Sequence, residues 1–162
     1  MDLQGLSILC DKTLGGYNTL EYAPLTWLSP NVFVQNSTTG VWLAEPSFNS
    51  GKSFLTLPFL KMTDRPFDST ANGTKFGSLS DALITATLPA LKPAAALELQ
   101  KMQTLRWFII RITDKAGIKW TAGTPDNPLE FHYSSVGGKS ADSANHVTVK
   151  FTGKLRNPFI PL

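Results

Sequence analysis

The chain has 162 residues, 42% of them hydrophobic and 17% charged, which fits one domain (1–162) able to bury about two-thirds of its unfolded surface and argues against global disorder. Its net charge of +3 is spread over fifteen Lys and Arg that never form a dense block, which excludes a dedicated nucleic-acid surface and leaves only incidental contact with genomic DNA. One cysteine, Cys10, excludes an internal disulfide and a multi-cysteine zinc site, and no run of about eighteen apolar residues is present to span a bilayer.

Residues 1–10 lack the basic start and long apolar core of a signal peptide, so assembly in a cytoplasm is expected. In that setting Asn36-Ser37-Thr38 and Asn72-Gly73-Thr74 read as polar turns. Residues 6–10 and 19–28 are candidate strands separated by a Gly15-Gly16 turn, and Pro24 confines the second to an edge or a bulge. Short candidates follow at 32–34, 41–44 and 54–60. Residues 63–78 are polar and long for a simple connection, and are expected to form an exposed excursion.

The pattern sharpens from Leu79. Ala82, Ile84, Ala86 and Leu88 alternate with Asp81, Leu83, Thr85 and Thr87, giving a strand with one wholly apolar face that Pro89 ends. A helix is predicted over about residues 92–104: Pro93 suits a first turn, and Leu91, Ala95, Leu99 and Met102 form an apolar stripe opposite Gln100 and Lys101. A meander follows. Its first strand is apolar on much of both faces, with Phe108, Ile110 and Ile112 on one and Trp107, Ile109, Arg111 and Thr113 on the other, and should be central. The strands around Ile118-Trp120-Ala122, Leu129-Phe131-Tyr133 and Val147-Val149-Phe151 alternate with polar residues and should be half-solvated. The order predicts a mainly β fold, an antiparallel β-sandwich or small barrel with one flanking α-helix.

No motif spells catalytic, cofactor or metal chemistry. Gly51-Lys52-Ser53 and Gly138-Lys139-Ser140 resemble the end of a phosphate loop, but Pro46 and Tyr133 occupy the positions of the leading glycine, so both read as turns. His132 and His146 flank the 134–145 loop, where a hairpin could bring them together near Glu130 or Asp142. Two histidines without a third soft ligand read as surface residues. There is no Gly-x-Ser-x-Gly elbow, and Asp64 and Asp68 lie in a polar stretch, so the chain reads as no enzyme. Trp27, Trp42, Trp107 and Trp120 read first as core aromatics. A second reading makes the chain a non-catalytic β-sandwich module binding carbohydrate or a host surface, with Trp42, Trp120 or Tyr133 as stacking platforms.

The C-terminal segment, about 154–162, carries Leu155, Phe159, Ile160 and Leu162 between Pro158 and Pro161, and reads as an extended arm that docks on a neighbouring subunit. Its Phe159, Ile160 and Leu162, with Arg65 and Phe67 of the 63–78 excursion and Lys139 of the 134–145 loop, are the candidate subunit contacts.

Three groups of residues carry a resemblance. They are the strand Ala82-Leu83-Ile84-Thr85-Ala86-Thr87-Leu88-Pro89 with the helix after it, the hairpin Phe108-Ile109-Ile110-Arg111-Ile112-Thr113-Asp114-Lys115-Ala116-Gly117, and the Gly123-Thr124-Pro125 turn before Pro128-Leu129-Glu130-Phe131. The loop to Asn145, the closing Val147-Thr148-Val149-Lys150-Phe151-Thr152-Gly153 and the early Cys10-Asp11-Lys12-Thr13-Leu14-Gly15-Gly16 complete the set. In this order, over about half the chain, the sequence resembles small β-rich virion proteins of tailed phages and prophages, particularly those of Bacteroidetes-type hosts. The resemblance implies a structural virion protein in a tail tube, connector or neck ring, made of a β-sandwich or barrel with a flanking helix. Its partners would be copies of itself and other tail, neck or portal proteins. It implies no catalytic residue.

Overall fold

The computed structural model describes residues 17–29, 45–59, 61–74, 77–88, 93–114, 117–136, 146–155 and 160–161. The fold is mainly β and antiparallel throughout, with one flanking helix. In chain order the elements are β1 (Tyr17–Pro24), a 3-10 turn (Leu25–Trp27), β2 (Leu55–Thr56), β3 (Lys61–Thr74), β4 (Gly77–Leu88), α1 (Pro93–Leu105), β5 (Trp107–Asp114), β6 (Lys119–Ala122), β7 (Leu129–Val136), β8 (His146–Leu155) and β9 (Ile160–Pro161). The sheet runs β2-β1-β5-β7-β8-β4-β3, and off that path β6 pairs with β5 and β9 with β6.

β5 is the hub, as its two apolar faces imply. One edge pairs with β1 along its length, while the other divides, with Trp107 and Phe108 opposite Glu130 and Leu129 of β7 and residues 110–113 opposite β6. Ile109 and Ile110 point to opposite faces, and both are fully buried. The inner face carries the core. Phe108, Phe131 and Phe151, on β5, β7 and β8, meet at centroid distances of 5.2 to 5.9 Å, and Tyr22 of β1 joins at 6.0 Å from Phe108. Tilted and edge contacts of this kind add about 0.5–1.5 kcal/mol each beyond area burial. Ala82, Ile84, Ala86 and Leu88 of β4 join the same cluster, as their alternation predicts. Leu20 of β1 belongs to it as well, so the sheet bends round one interior rather than lying flat.

The helix begins and ends within a residue of the expected bounds, and Ala95, Leu99 and Met102 are buried against the cluster. Glu98 is buried too, beyond what the stripe indicated, with its carboxylate 2.8 Å from Lys101 Nζ one turn on. β1 stops at Pro24, where the missing amide does no harm: β2 pairs only with Glu21 and Tyr22, so Pro24 has an unpaired side.

Three expectations need correction. Residues 63–78 are not a loop: they build most of β3 and the start of β4, a hairpin paired from Lys61↔Thr87 to Thr74↔Gly77. Intrinsic propensity hid this, because Asp, Asn, Ser and Gly are poor strand formers on their own, whereas an edge strand exposed to water tolerates them when β4 supplies the register. Pro66 falls in a register shift between Met62 and Phe67, where edge strands accommodate a proline. The C-terminal segment is not wholly an arm either. Lys154 and Leu155 extend β8, and Ile160 and Pro161 pair with Thr121 and Trp120 of the same chain. Pro161 is tolerated because β9 is a two-residue edge. Third, Ile118 lies outside β6 and is exposed. The candidate strands 6–10, 32–34 and 41–44 fall outside the described residues. Among the described residues no helix is long and apolar enough to cross a membrane.

Candidate functional site

The outer face of the sheet, away from the core, carries the candidate site. Strand register aligns Trp107 of β5, Glu130 of β7, Thr152 of β8, Leu83 of β4 and Asp68 of β3 in one row across five strands. A second row, two residues along, runs Lys154, Asp81, Thr70. Period-two alternation puts both rows on the same face. Trp107, Glu130, Thr152, Leu83, Lys154, Asp81 and Thr70 line a cleft of about 600 Å³, completed by Ala82, Gly153 and Pro128, within the size range of ligand sites.

Packing beneath the floor sets its depth. A Cβ on Gly153 would lie 2.8 Å from Leu129 Cδ2 and 3.0 Å from the Pro128 carbonyl oxygen, so only glycine lets β7 enter this closely beside β8. Gly123, at φ 92°, turns the chain before the 124–127 loop, in which the Thr124 and Asn127 amides each donate to the other's carbonyl at 3.1 Å. That loop delivers Pro128 and Glu130 to the cleft.

The wall is built at the helix–strand junction. Arg106 ends α1 in the left-handed region, φ 64°, donating its amide to the Met102 carbonyl while its own carbonyl accepts from the Phe131 amide. This cap normally falls to glycine, because a Cβ there costs about 1–2 kcal/mol. The Arg106 guanidinium lies 4.8 Å from the Trp107 ring centroid, and its Nε donates to Glu130 Oε1 at 2.7 Å. Trp107 keeps 38% of its surface exposed. Glu130 Oε2 stands 3.6 Å from His132 Nε2.

A second polar cluster lies on the same face, over β1, β5 and β6. Arg111 donates twice to Glu21, at 2.7 and 3.0 Å, and once to Glu45 at 3.2 Å, and Lys119 donates to Glu45 at 2.8 Å. Its guanidinium also sits 4.3 Å from the Phe54 ring centroid. The hydrogen bond from Lys119 holds the Glu45 carboxyl below the ordinary glutamate range, helped by the charge of Arg111 and opposed by partial burial. This cluster ties Glu45 and Phe54 to Arg111 on the outer face of β5, the face on which Ile109 is fully buried.

The sequence candidates distribute unevenly. His132 pairs with Lys150 and His146 with Val136, four residues along β8, so about 13 Å of strand separates the histidines. The hairpin does not bring them together, and Asp142 falls outside the described residues. Among the described residues no group of three or more His, Cys, Asp or Glu is placed to hold a metal. Gly51-Lys52-Ser53 forms a turn, with Gly51 at φ 75° and the Lys52 amide donating to the Asn49 carbonyl; Lys139 lies outside the described residues. Of the expected stacking platforms, Tyr133 packs on Phe131 against the core, Trp120 is half-buried opposite Ile112, and Trp42 is outside the described residues. The tryptophan that lines the cleft is Trp107. Arg65 and Phe67 lie on β3, Ile160 on β9, and Phe159 and Leu162 are outside the described residues. The sequence offered one signal for the cleft: Trp107, Glu130 and Thr152 each occupy the outward position of an alternating strand.

No family model, no curated protein and no solved structure matches this chain.

Proposed function

We propose that the chain is a non-catalytic structural subunit that associates with copies of itself through the edge of its sheet, in the manner of a ring in a phage tail or head–tail neck. The observation that carries this reading is β3. Its residues 67–74 form an unbroken eight-pair ladder with β4, and among the described residues no strand pairs with the opposite edge. Such an edge presents alternate amides and carbonyls to any strand that can lie beside it. Among the described residues β4 meets β8 only from Ser80 onward, so there Gly77, Ser78 and Leu79 pair with β3 alone, and Leu79 is 40% exposed.

A closed ring needs two different contact surfaces on each subunit, and among the described residues the sheet ends differently on its two sides, in the fourteen-residue β3 and the two-residue β2. The resemblance to small β-rich virion proteins supports the same reading. Arg65 and Phe67 lie on the proposed contact strand. Ile160 pairs with Thr121 of its own chain.

Adjacent proline substitutions test it. Backbone amides alternate sides along a strand, so of Ser69→Pro and Thr70→Pro one removes an amide facing β4 and the other an amide facing outward. The outward variant should keep its thermal unfolding transition and lose the oligomer by native mass spectrometry. An oligomer unaffected by both substitutions, or a chain that stays monomeric at high concentration without any substitution, would sink the proposal.

A further inference from the structure

We infer that the Trp107 cleft is a binding site for a neutral saccharide unit, an activity separate from self-association that shares β3 with the proposed contact edge through Thr70. Two costs coincide at its wall. Trp107 leaves over a third of its surface in water, and the residue before it, Arg106, is held in a backbone conformation that disfavours side chains. A glycine would relieve the second cost at once, but would remove the guanidinium that stacks on the indole and bonds Glu130. A side chain at a strained position beside an exposed aromatic points to something that uses both.

Charge selects the ligand class. Each cation of the cleft is matched by a carboxylate: Arg106 bonds Glu130, and Lys154 stands opposite Asp81 in the β8–β4 register. The matched site gives no net attraction to a phosphate, a sulfate or an acidic peptide, and the two carboxylates would repel them. It does offer donors and acceptors in close alternation, with Thr152 between the pairs, beside an apolar ring face. A pyranose requires that combination, since its axial C–H face is apolar and its hydroxyls both donate and accept. Planar carboxylate and guanidinium groups suit adjacent hydroxyls two at a time. A nucleic-acid strand could stack on the indole, but would bring phosphates against Glu130 and Asp81.

The test is an array of neutral and acidic oligosaccharides probed with the full chain, followed by titration of the strongest neutral binder. Wild type should bind neutral glycans in preference to sialylated or sulfated ones. Trp107→Ala should weaken binding at least tenfold, and Trp107→Phe, which keeps an aromatic ring, should weaken it less. Because Trp107 opens the hub strand, a second variant is made on another strand: Thr152→Lys places a long chain on the cleft floor from β8 and should also abolish binding while the unfolding temperature stays close to wild type. Leu97→Ala, exposed on the helix, should change nothing. Absence of any bound neutral glycan, preference for acidic glycans, or binding that survives both Trp107→Ala and Thr152→Lys would overturn the inference. Oligomer size measured on the same variants should not move, which separates this outcome from the self-association proposal.

Discussion

The guanidinium of Arg106 lies over the indole of Trp107, 4.8 Å from the ring centroid, on a backbone turned to φ 64°. Two neighbours in sequence thus form the helix cap, the start of the hub strand and the wall of the cleft. The strain predicts an unusual order of variant stabilities. Arg106→Ala keeps the strained backbone and loses the exposed ion pair and the stacking. Arg106→Gly loses the same contacts and relieves the strain. The glycine variant should therefore be more stable than the alanine variant by about 1 kcal/mol in denaturant unfolding, reversing the preference usual inside helices. Equal stabilities would mean that the left-handed turn carries no strain.

Gly153 makes a second prediction, from packing alone. A methyl group there would meet Leu129 Cδ2 at 2.8 Å and the Pro128 carbonyl at 3.0 Å. The leucine tip can shift, but the Pro128 oxygen immediately precedes β7, whose first residues are held by β5 and β8. Gly153→Ala should cost roughly 1–3 kcal/mol in chemical unfolding, as overpacked cores do. A loss below the error of the measurement would show that β7 moves freely.

Glu45 gives a pH dependence whose sign is fixed by its partners. Its folded carboxyl titrates below the ordinary glutamate value of 4.5, chiefly because Lys119 donates a hydrogen bond to it. A depressed carboxyl contributes stability that is fully present above the unfolded value and is lost as pH falls through the folded one. Thermal unfolding of wild type and Glu45→Gln, followed from pH 7 downward, should differ by a small, salt-sensitive amount near neutrality, since Glu45 is half exposed. The two curves should converge in acid below about pH 4.5. A gap that persists there would assign it to shape rather than charge.

Much of the fold was legible where one residue type serves local and tertiary needs together. Phe108, Ile110 and Ile112 alternate with Ile109, so the strand could be placed at the centre of the sheet, and Ala95, Leu99 and Met102 could be placed on the buried side of a helix. Asp68, Ser69, Asn72 and Gly73 gave the opposite signal, because their strand conformation comes from pairing with β4 and not from their own preferences. Register keeps the two histidines apart: a shared face does not bring two residues together when four positions separate them along the strand. The cleft depends on which strands become neighbours. Trp107 and Glu130 are far apart in sequence, and the division of the β5 edge between β6 and β7 sets them opposite each other. The left-handed turn at Arg106 had no sequence signal, since glycine is the residue that marks such a cap.

The most direct test of self-association is residue-resolved amide hydrogen exchange across residues 67–74, recorded at low and at high protein concentration. In the single chain, amides facing β4 are paired and those facing outward have no strand partner among the described residues, so protection should alternate along the strand. Pairing with a second copy should close the outward amides at high concentration, converting the alternating pattern into continuous protection without change in the hub strand. An alternating pattern that persists at every concentration, in a sample whose mass shows an oligomer, would place the contact elsewhere and contradict the role assigned to β3.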